Sequence, residues 1–267
     1  MFVFPSCGDE SLSFGAVWHD YFQRCAAAGS AADVAEKRYL NDICLGASFG
    51  DHEIRVAMDR ALPGSGCAIA QHDNIEAEIA DRLATNNVVA RFAGRMEWGA
   101  RALGSRSILA NPREWRNVEK INSMIKMRDF WMPFAPSMMA EQQGRYLKNP
   151  KSIRSPFMMF AYETLPLAEQ HLGAAIHPRD RTARAQFVEK EHKPSYHKLL
   201  KAFEDKTGQS AVLNTSFNLH GYPLVNSPED ALDVFLRSGL DCLALENVLI
   251  DRKSTRLNSS HVALSRM

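Results

Sequence analysis

Gly94-Arg95-Met96-Glu97-Trp98-Gly99-Ala100-Arg101-Ala102-Leu103-Gly104, followed at once by Arg106-Ser107-Ile108-Leu109, is the stretch on which the reading of this chain turns. Its glycines allow backbone N–H groups to approach an anion closely. Its arginines carry planar forks that match phosphate oxygens. The ending is not G-K-[ST] and the glycines are not spaced G-x-G-x-x-G, so neither a Walker A loop nor a dinucleotide fingerprint is present. The stretch lies in the most basic part of the chain. Arg91, Arg95, Arg101, Arg106, Arg113, Arg116, Lys120, Lys126 and Arg128 face only Glu97, Glu114 and Glu119. A local basic excess in a chain of net charge +1 suits a small polyanion better than a long one. Composition alone supports a second reading equally, in which these arginines lie on a solvated surface beside the nearby glutamates.

Two further words lie downstream. Lys126-Met127-Arg128 precedes Pro133-Phe134-Ala135-Pro136. Cations at i and i+2 point apart on either a strand or a helix, so both can meet one ligand only at an element end. The prolines then fix a rigid, non-helical path. Cations that simply close a helix C-terminus explain the word as well. Leu213-Asn214-Thr215-Ser216-Phe217-Asn218 sets small polar side chains at the end of a buried strand. They could read phosphate or nucleotide edges, or serve only as a hydrogen-bonded turn. His171, His177, His192, His197 and His220 show no metal-binding spacing and read as ordinary surface or core histidines.

The flanks predict alternating elements. Apolar runs at Ile43–Leu45, Cys67–Ala70, Val88–Phe92, Phe157–Phe160, Ala211–Leu213 and Cys242–Ile250 read as strands. Helices are expected after Asp9, after an Asp73/Glu76 capping pair, after Asn111-Pro112, from Pro194 to Gly208, and after Ser227-Pro228-Glu229-Asp230. The class is therefore α/β, or α+β. The 267 residues are 45% hydrophobic, enough for a sizeable core. Cys7, Cys25, Cys44, Cys67 and Cys242 are odd in number, scattered and without a C-x-x-C, which fits a reducing cytoplasm. No apolar run reaches membrane-spanning length and no secretory signal opens the chain.

Taken in order, these words resemble the C-terminal part of the O-carbamoyltransferase family that includes nodulation, cephalosporin-pathway and tobramycin-pathway carbamoyltransferases. Thr182-Ala183-Arg184-Ala185-Gln186 and Ser227-Pro228-Glu229-Asp230-Ala231 add to the match, which covers most of residues 88–251. The resemblance implies a YrdC-like fold, a twisted mixed sheet flanked by helices. It implies ATP-dependent formation of carbamoyl-adenylate from carbamoyl phosphate, with magnesium, as the first half of O-carbamoyl transfer to a small-molecule hydroxyl in a biosynthetic pathway.

On the same grounds Lys126, Arg128 and Arg184 are the expected catalytic residues. Arg95, Glu97, Arg101, Arg106, Asn214, Ser216 and Asn218 are the expected ligands of nucleotide and carbamoyl phosphate. The resemblance further implies that residues 1–30 are the end of a Kae1-like (actin-like ATPase) transfer domain, with Asp9 a stranded iron ligand. Residues 31–87 would connect it to a domain at 88–251, and 252–267 would be an artefactual or disordered tail. On that reading the chain is a fragment, partnered by its missing N-terminal domain and unable to complete transfer alone. The sequence departs from the family words at Ala100, at Tyr222 and over His177-Pro178-Arg179-Asp180-Arg181. Two other readings stand beside this one. The first is a threonylcarbamoyl-adenylate synthase-like or RNA-binding YrdC module, which the neutral charge disfavours. The second is an inactive fragment, which an exposed apolar patch around Phe2, Phe4, Val17 and Tyr21 would favour.

Overall fold

A computed structural model of the protein describes residues 4–29, 40–126 and 132–252. Arg128, Phe2 and the stretch from Lys253 onward therefore lie outside the described residues. The helices are α1 (Leu12–Ala27), α2 (Asp51–Ala61), α3 (Ile75–Ala84), α4 (Arg116–Ile121), α5 (Pro166–His171), α6 (Pro194–Thr207) and α7 (Pro228–Arg237). The strands are β1 (Ala68–Gln71), β2 (Val89–Phe92), β3 (Arg106–Ala110), β4 (Ala135–Met139), β5 (Tyr162–Glu163), β6 (Thr182–Ala183), β7 (Gln186–Val188), β8 (Ala211–Ser216), β9 (Cys242–Leu245) and β10 (Val248–Asp251). Eight of them form one sheet in the order β1-β10-β9-β2-β3-β8-β4-β7, and β5 pairs with β6 separately. The β2–β9 and β4–β7 pairs are parallel and the others antiparallel, so the sheet is mixed, as the resemblance implied.

Helices cover both faces, and the strand period assigns each side chain. In β9, Cys242 and Ala244 join the layer formed by Ile79 and Leu83 of α3 with Leu199 and Phe203 of α6. Leu243 and Leu245 face the opposite layer, built from Ile54 of α2 and Leu232 and Phe235 of α7. A strand buried on both faces reads as a near-continuous apolar run, and Val88–Phe92 does so apart from the buried Arg91. The expected caps fall at two helix boundaries. Ser227 and Asp230 form a capping box for α7, and Gly208 closes α6 at φ 74°.

Several expectations are corrected. Ile43–Leu45 and Phe157–Phe160 are not strands. Ile43, Phe157 and Met158 are buried together beside Leu103 and Ala135, so their apolarity reports core contact rather than a ladder. Met158 takes a left-handed backbone at φ 57°, which breaks any extended run. Asp73 and Glu76 do not cap α3. Its N-cap is Asn74, with no side-chain cap bond. The Glu76 carboxylate instead accepts from Ser195 Oγ at 2.7 Å and Lys198 Nζ at 3.0 Å, tying α3 to α6. After Asn111-Pro112 the chain first turns, with Arg113 N–H donating to Asn111 Oδ1, and the helix starts only at Arg116.

α1 lies on the surface. Phe4 and Phe14 pack against Trp98, with ring centroids 5.6 Å and 4.7 Å away. Leu12, Val17, Trp18, Tyr21 and Phe22 remain exposed. Among the described residues no helix is long and apolar enough to cross a membrane.

Gly104 sits at φ 106°, and a Cβ there would fall 2.4 Å from the Tyr196 ring. Gly104→Ala is expected to cost about 2–4 kcal/mol, from backbone strain and ring displacement together. An unfolding midpoint in denaturant equal to that of the parent chain would contradict this packing.

Candidate active site

A cavity of about 630 Å³ opens where α4, the end of β8 and the β6–β7 segment converge. Arg101, Lys126, Arg184, Ser216, Asn218, His177 and His220 line its polar side, and Met132, Phe134 and Ala161 its apolar side. α4 runs into a π-helical turn at Asn122–Lys126, which ends on Lys126. Ile121 and Ile125 anchor this turn in the core. Such turns interrupt the 3.6-residue repeat and recur at functional sites. Lys126 itself is 2% exposed. Its Nζ donates to Ser216 Oγ at 3.0 Å, to Asn218 Oδ1 at 2.5 Å and to the Asn218 carbonyl at 3.2 Å. Ser216 Oγ in turn donates to Asn218 Oδ1 at 2.7 Å. The Asn218 amide group donates to the Tyr222 and Leu219 carbonyls, which fixes its oxygen toward the lysine.

Arg101 reaches the same cavity from the loop before β3. Burial pulls its guanidinium below the ordinary value, yet it remains cationic near neutral pH. Among the described residues it makes no hydrogen bond or ion pair. No carboxylate lines the cavity among the described residues. Among the described lining residues, Arg101, Lys126 and Arg184 thus set positive charge around a space of nucleotide size.

The remaining sequence candidates lie elsewhere. Glu97 is 2% exposed, and its Oε1 accepts the backbone N–H groups of Leu103 at 2.6 Å, Ser105 at 3.0 Å and Arg106 at 3.3 Å. Arg106 is fully buried. It donates to the carbonyls of Ala93, Gly94 and Ser105, and stacks 3.5 Å over the Phe92 ring. Burial pushes its guanidinium down to about 10. Arg95 donates to the Leu45 and Gly46 carbonyls and holds the segment before α2. Asn214, two residues inward from Ser216, donates to the Ala102 carbonyl and to Ser137 Oγ. These four residues build the scaffold around the cavity and do not line it. Asp9 is exposed, and no group of three or more His, Cys, Asp or Glu side chains is placed to hold a metal among the described residues. That donor set does not fit an iron centre.

Sequence reading took His177 and His220 as ordinary histidines and Thr182 only as part of a family word, yet all three line the cavity. Thr182 stands two positions before Arg184, while Ala183 and Ala185 turn into the core, so an i, i+2 alternation would have found it. His220 follows Asn218 at the same spacing on one loop. His177 is held at the rim, its Nδ1 3.0 Å from Asp180 Oδ1.

The family described as carbamoyltransferase C-terminus matches residues 80–252. The chain belongs to that family. An uncharacterized protein of Methanocaldococcus jannaschii is 34% identical over 95% of this chain and 40% of its own length. Nodulation protein NolO of Bradyrhizobium diazoefficiens is 33% identical over 96% of this chain and 45% of its own. The 3'-hydroxymethylcephem-O-carbamoyltransferase of Streptomyces clavuligerus is 32% identical over 58% of this chain and 28% of its own. The chain therefore spans less than half the length of these relatives. Full-length HypF in its phosphate- and nucleotide-bound form aligns over 68% of this chain and 22% of its own at 15% identity, with a TM-score of 0.45, a likeness too weak to carry an argument. The family ties this chain to carbamoyl transfer as a general chemistry.

Glu97→Gln is expected to cost about 1–3 kcal/mol in stability, because a neutral amide oxygen is a poorer acceptor for three buried N–H groups. Unchanged stability in a denaturant titration would show that this carboxylate does not organise the loop.

Proposed function

We propose that the cavity binds ATP and carbamoyl phosphate, that water cleaves carbamoyl phosphate to carbamate and phosphate, and that the carbamate oxygen displaces pyrophosphate from the ATP α-phosphate to give carbamoyl-adenylate, as the first half of carbamoyl transfer to a small-molecule hydroxyl. The observation that carries this reading is Arg101. A half-buried guanidinium that makes no hydrogen bond or ion pair among the described residues, at a cavity with no carboxylate among its described lining residues, calls for an anionic ligand. Lys126 and Arg184 extend the same positive field. The apolar wall at Met132, Phe134 and Ala161 supplies a surface for a base or ribose face.

Attack on an α-phosphate spreads charge over phosphate oxygens. Positioned cations and substrate alignment can then supply most of the acceleration. Lys126 is pre-aimed by Ser216 and Asn218 and would neutralise phosphate, while the Ser216 hydroxyl would orient the carbamoyl or sugar–phosphate end. Arg128 belongs to the same proposal through the family word it completes. With no carboxylate among the described lining residues, magnesium would arrive on the nucleotide phosphates. Its contribution there would be charge neutralisation at the β- and γ-phosphates.

A second reading has one observation in its favour. The exposed row Leu12, Val17, Trp18, Tyr21 and Phe22 on α1 suits a surface that works against further protein. On that reading the cavity binds nucleotide but turns over only when α1 is covered.

Pyrophosphate release from ATP, magnesium and carbamoyl phosphate, against a control without carbamoyl phosphate, separates these readings. The first predicts carbamoyl-dependent release, lowered in Lys126→Ala by about 2–4 kcal/mol of transition-state stabilisation. ATP binding without release supports the second. Release that depends on threonine and bicarbonate in place of carbamoyl phosphate would replace the first reading with a threonylcarbamoyl-adenylate activity. Undiminished release in Lys126→Ala would remove that residue from the chemistry.

A further inference from the structure

A second cavity, of about 430 Å³, lies apart from the first and is lined by Asp42, Cys44, Arg95, Ser105 and Lys193 among others. Two nucleophiles meet on its wall. Cys44 Sγ lies 2.8 Å from Lys193 Nζ, although the residues are 149 positions apart. That is well inside the usual separation of a sulfur hydrogen bond and close to the span of a single bridging atom. Ser105 Oγ is 3.4 Å from the sulfur on its other side. Asp42 Oδ1 accepts the Cys44 N–H at 3.0 Å and lies 3.8 Å from the Lys193 ammonium, so one carboxylate holds both partners. Lys193 is 16% exposed and Cys44 half-buried, yet both border the open cavity, which admits a small oxidant.

Both residues are seated by the fold and not by each other alone. Cys44 lies in the irregular segment before α2. That segment is tied down by Gly46 N–H to the Met96 carbonyl, Met96 N–H to the Ala47 carbonyl, and the Arg95 guanidinium. Lys193 is the N-cap position of α6, held by its N–H to the Glu189 carbonyl. The short approach therefore joins two independently anchored segments, as a crosslink requires.

We propose that Cys44 and Lys193 form an oxidation-dependent covalent bridge in which one oxygen atom links the cysteine sulfur to the lysine nitrogen. Hydrogen peroxide is the oxidant. The thiol attacks a first peroxide, the O–O bond breaks, water leaves and a sulfenic acid remains. A second peroxide converts the uncharged amine to an N-hydroxylamine with loss of water. Condensation of the two forms the S–O–N linkage and expels a third water. Two peroxides are thus reduced, the thiol and amine are oxidised, and the protein gains one oxygen and loses two hydrogens. Excess dithiol reverses the bridge, returning thiol, amine and water. Burial holds the Cys44 thiol above its ordinary value despite the Lys193 cation, so the reaction gains speed as pH rises. The bridge would pin the segment before α2 to the start of α6.

The test treats the whole chain with hydrogen peroxide at neutral and alkaline pH, quenches it and maps tryptic peptides by mass. The expected product is the peptide 39–55, carrying Cys44, joined to the peptide 191–198, carrying Lys193, with a net gain of one oxygen and loss of two hydrogens. It should form faster at alkaline pH, vanish on dithiothreitol treatment, and be absent from Lys193→Arg and Cys44→Ser. Cys44 found unmodified, or only as sulfenic, sulfinic or sulfonic acid, with no joined peptide from the parent chain, overturns the proposal.

Discussion

The buried carboxylate of Glu97 organises the loop that brings Arg101 to the cavity. One oxygen gathers the N–H groups of Leu103, Ser105 and Arg106, and so turns the chain sharply between the irregular segment at 97–104 and β3. Charged acceptors stabilise such clusters of amide donors more than neutral ones do. Arg101 sits on the turn so formed and is carried to the mouth of the cavity. Gly104 closes the turn against Tyr196, and Arg106 fills the space beneath it on Phe92.

From that turn the remaining parts follow by packing. Arg95 and Arg106 donate to the carbonyls of the segment before α2 and hold it across the body of the domain. Asn214 reaches from β8 to Ala102 and Ser137, so the end of the central strand is locked to the same turn. Ser216 at the last position of β8 and Asn218 just beyond it then meet Lys126, which the π-helical turn delivers. The polar residues of one sequence word thus divide between scaffold and site according to how far along β8 they fall.

Much of this was legible from the residues. The two-sided burial of β2 and β9, the α7 capping box and the left-handed glycine after α6 each follow from local patterns with one physical cause. The words bearing Lys126, Arg184, Ser216 and Asn218 pointed to residues that the structure brings together. What was not legible was direction. Arginine rich in donors serves backbone carbonyls as readily as phosphates, and nothing in the spacing of Arg95, Arg101 and Arg106 says which one faces the cavity. Apolar runs at Ile43 and Phe157 were misread because burial in an irregular segment leaves the same trace as a strand. Glu76 was misread because its partner, Ser195, lies on another helix far along the chain.

The central claim is that three cations converge on a space built for phosphate. An equilibrium titration of the chain with ATP, repeated for Arg101→Gln and across a range of salt, tests it most directly. The account predicts binding that weakens with salt and falls by about tenfold or more, on the order of 1.5–3 kcal/mol, when this guanidinium is removed. Equal affinity for ATP in the parent and Arg101→Gln chains, with no dependence on salt, would contradict it.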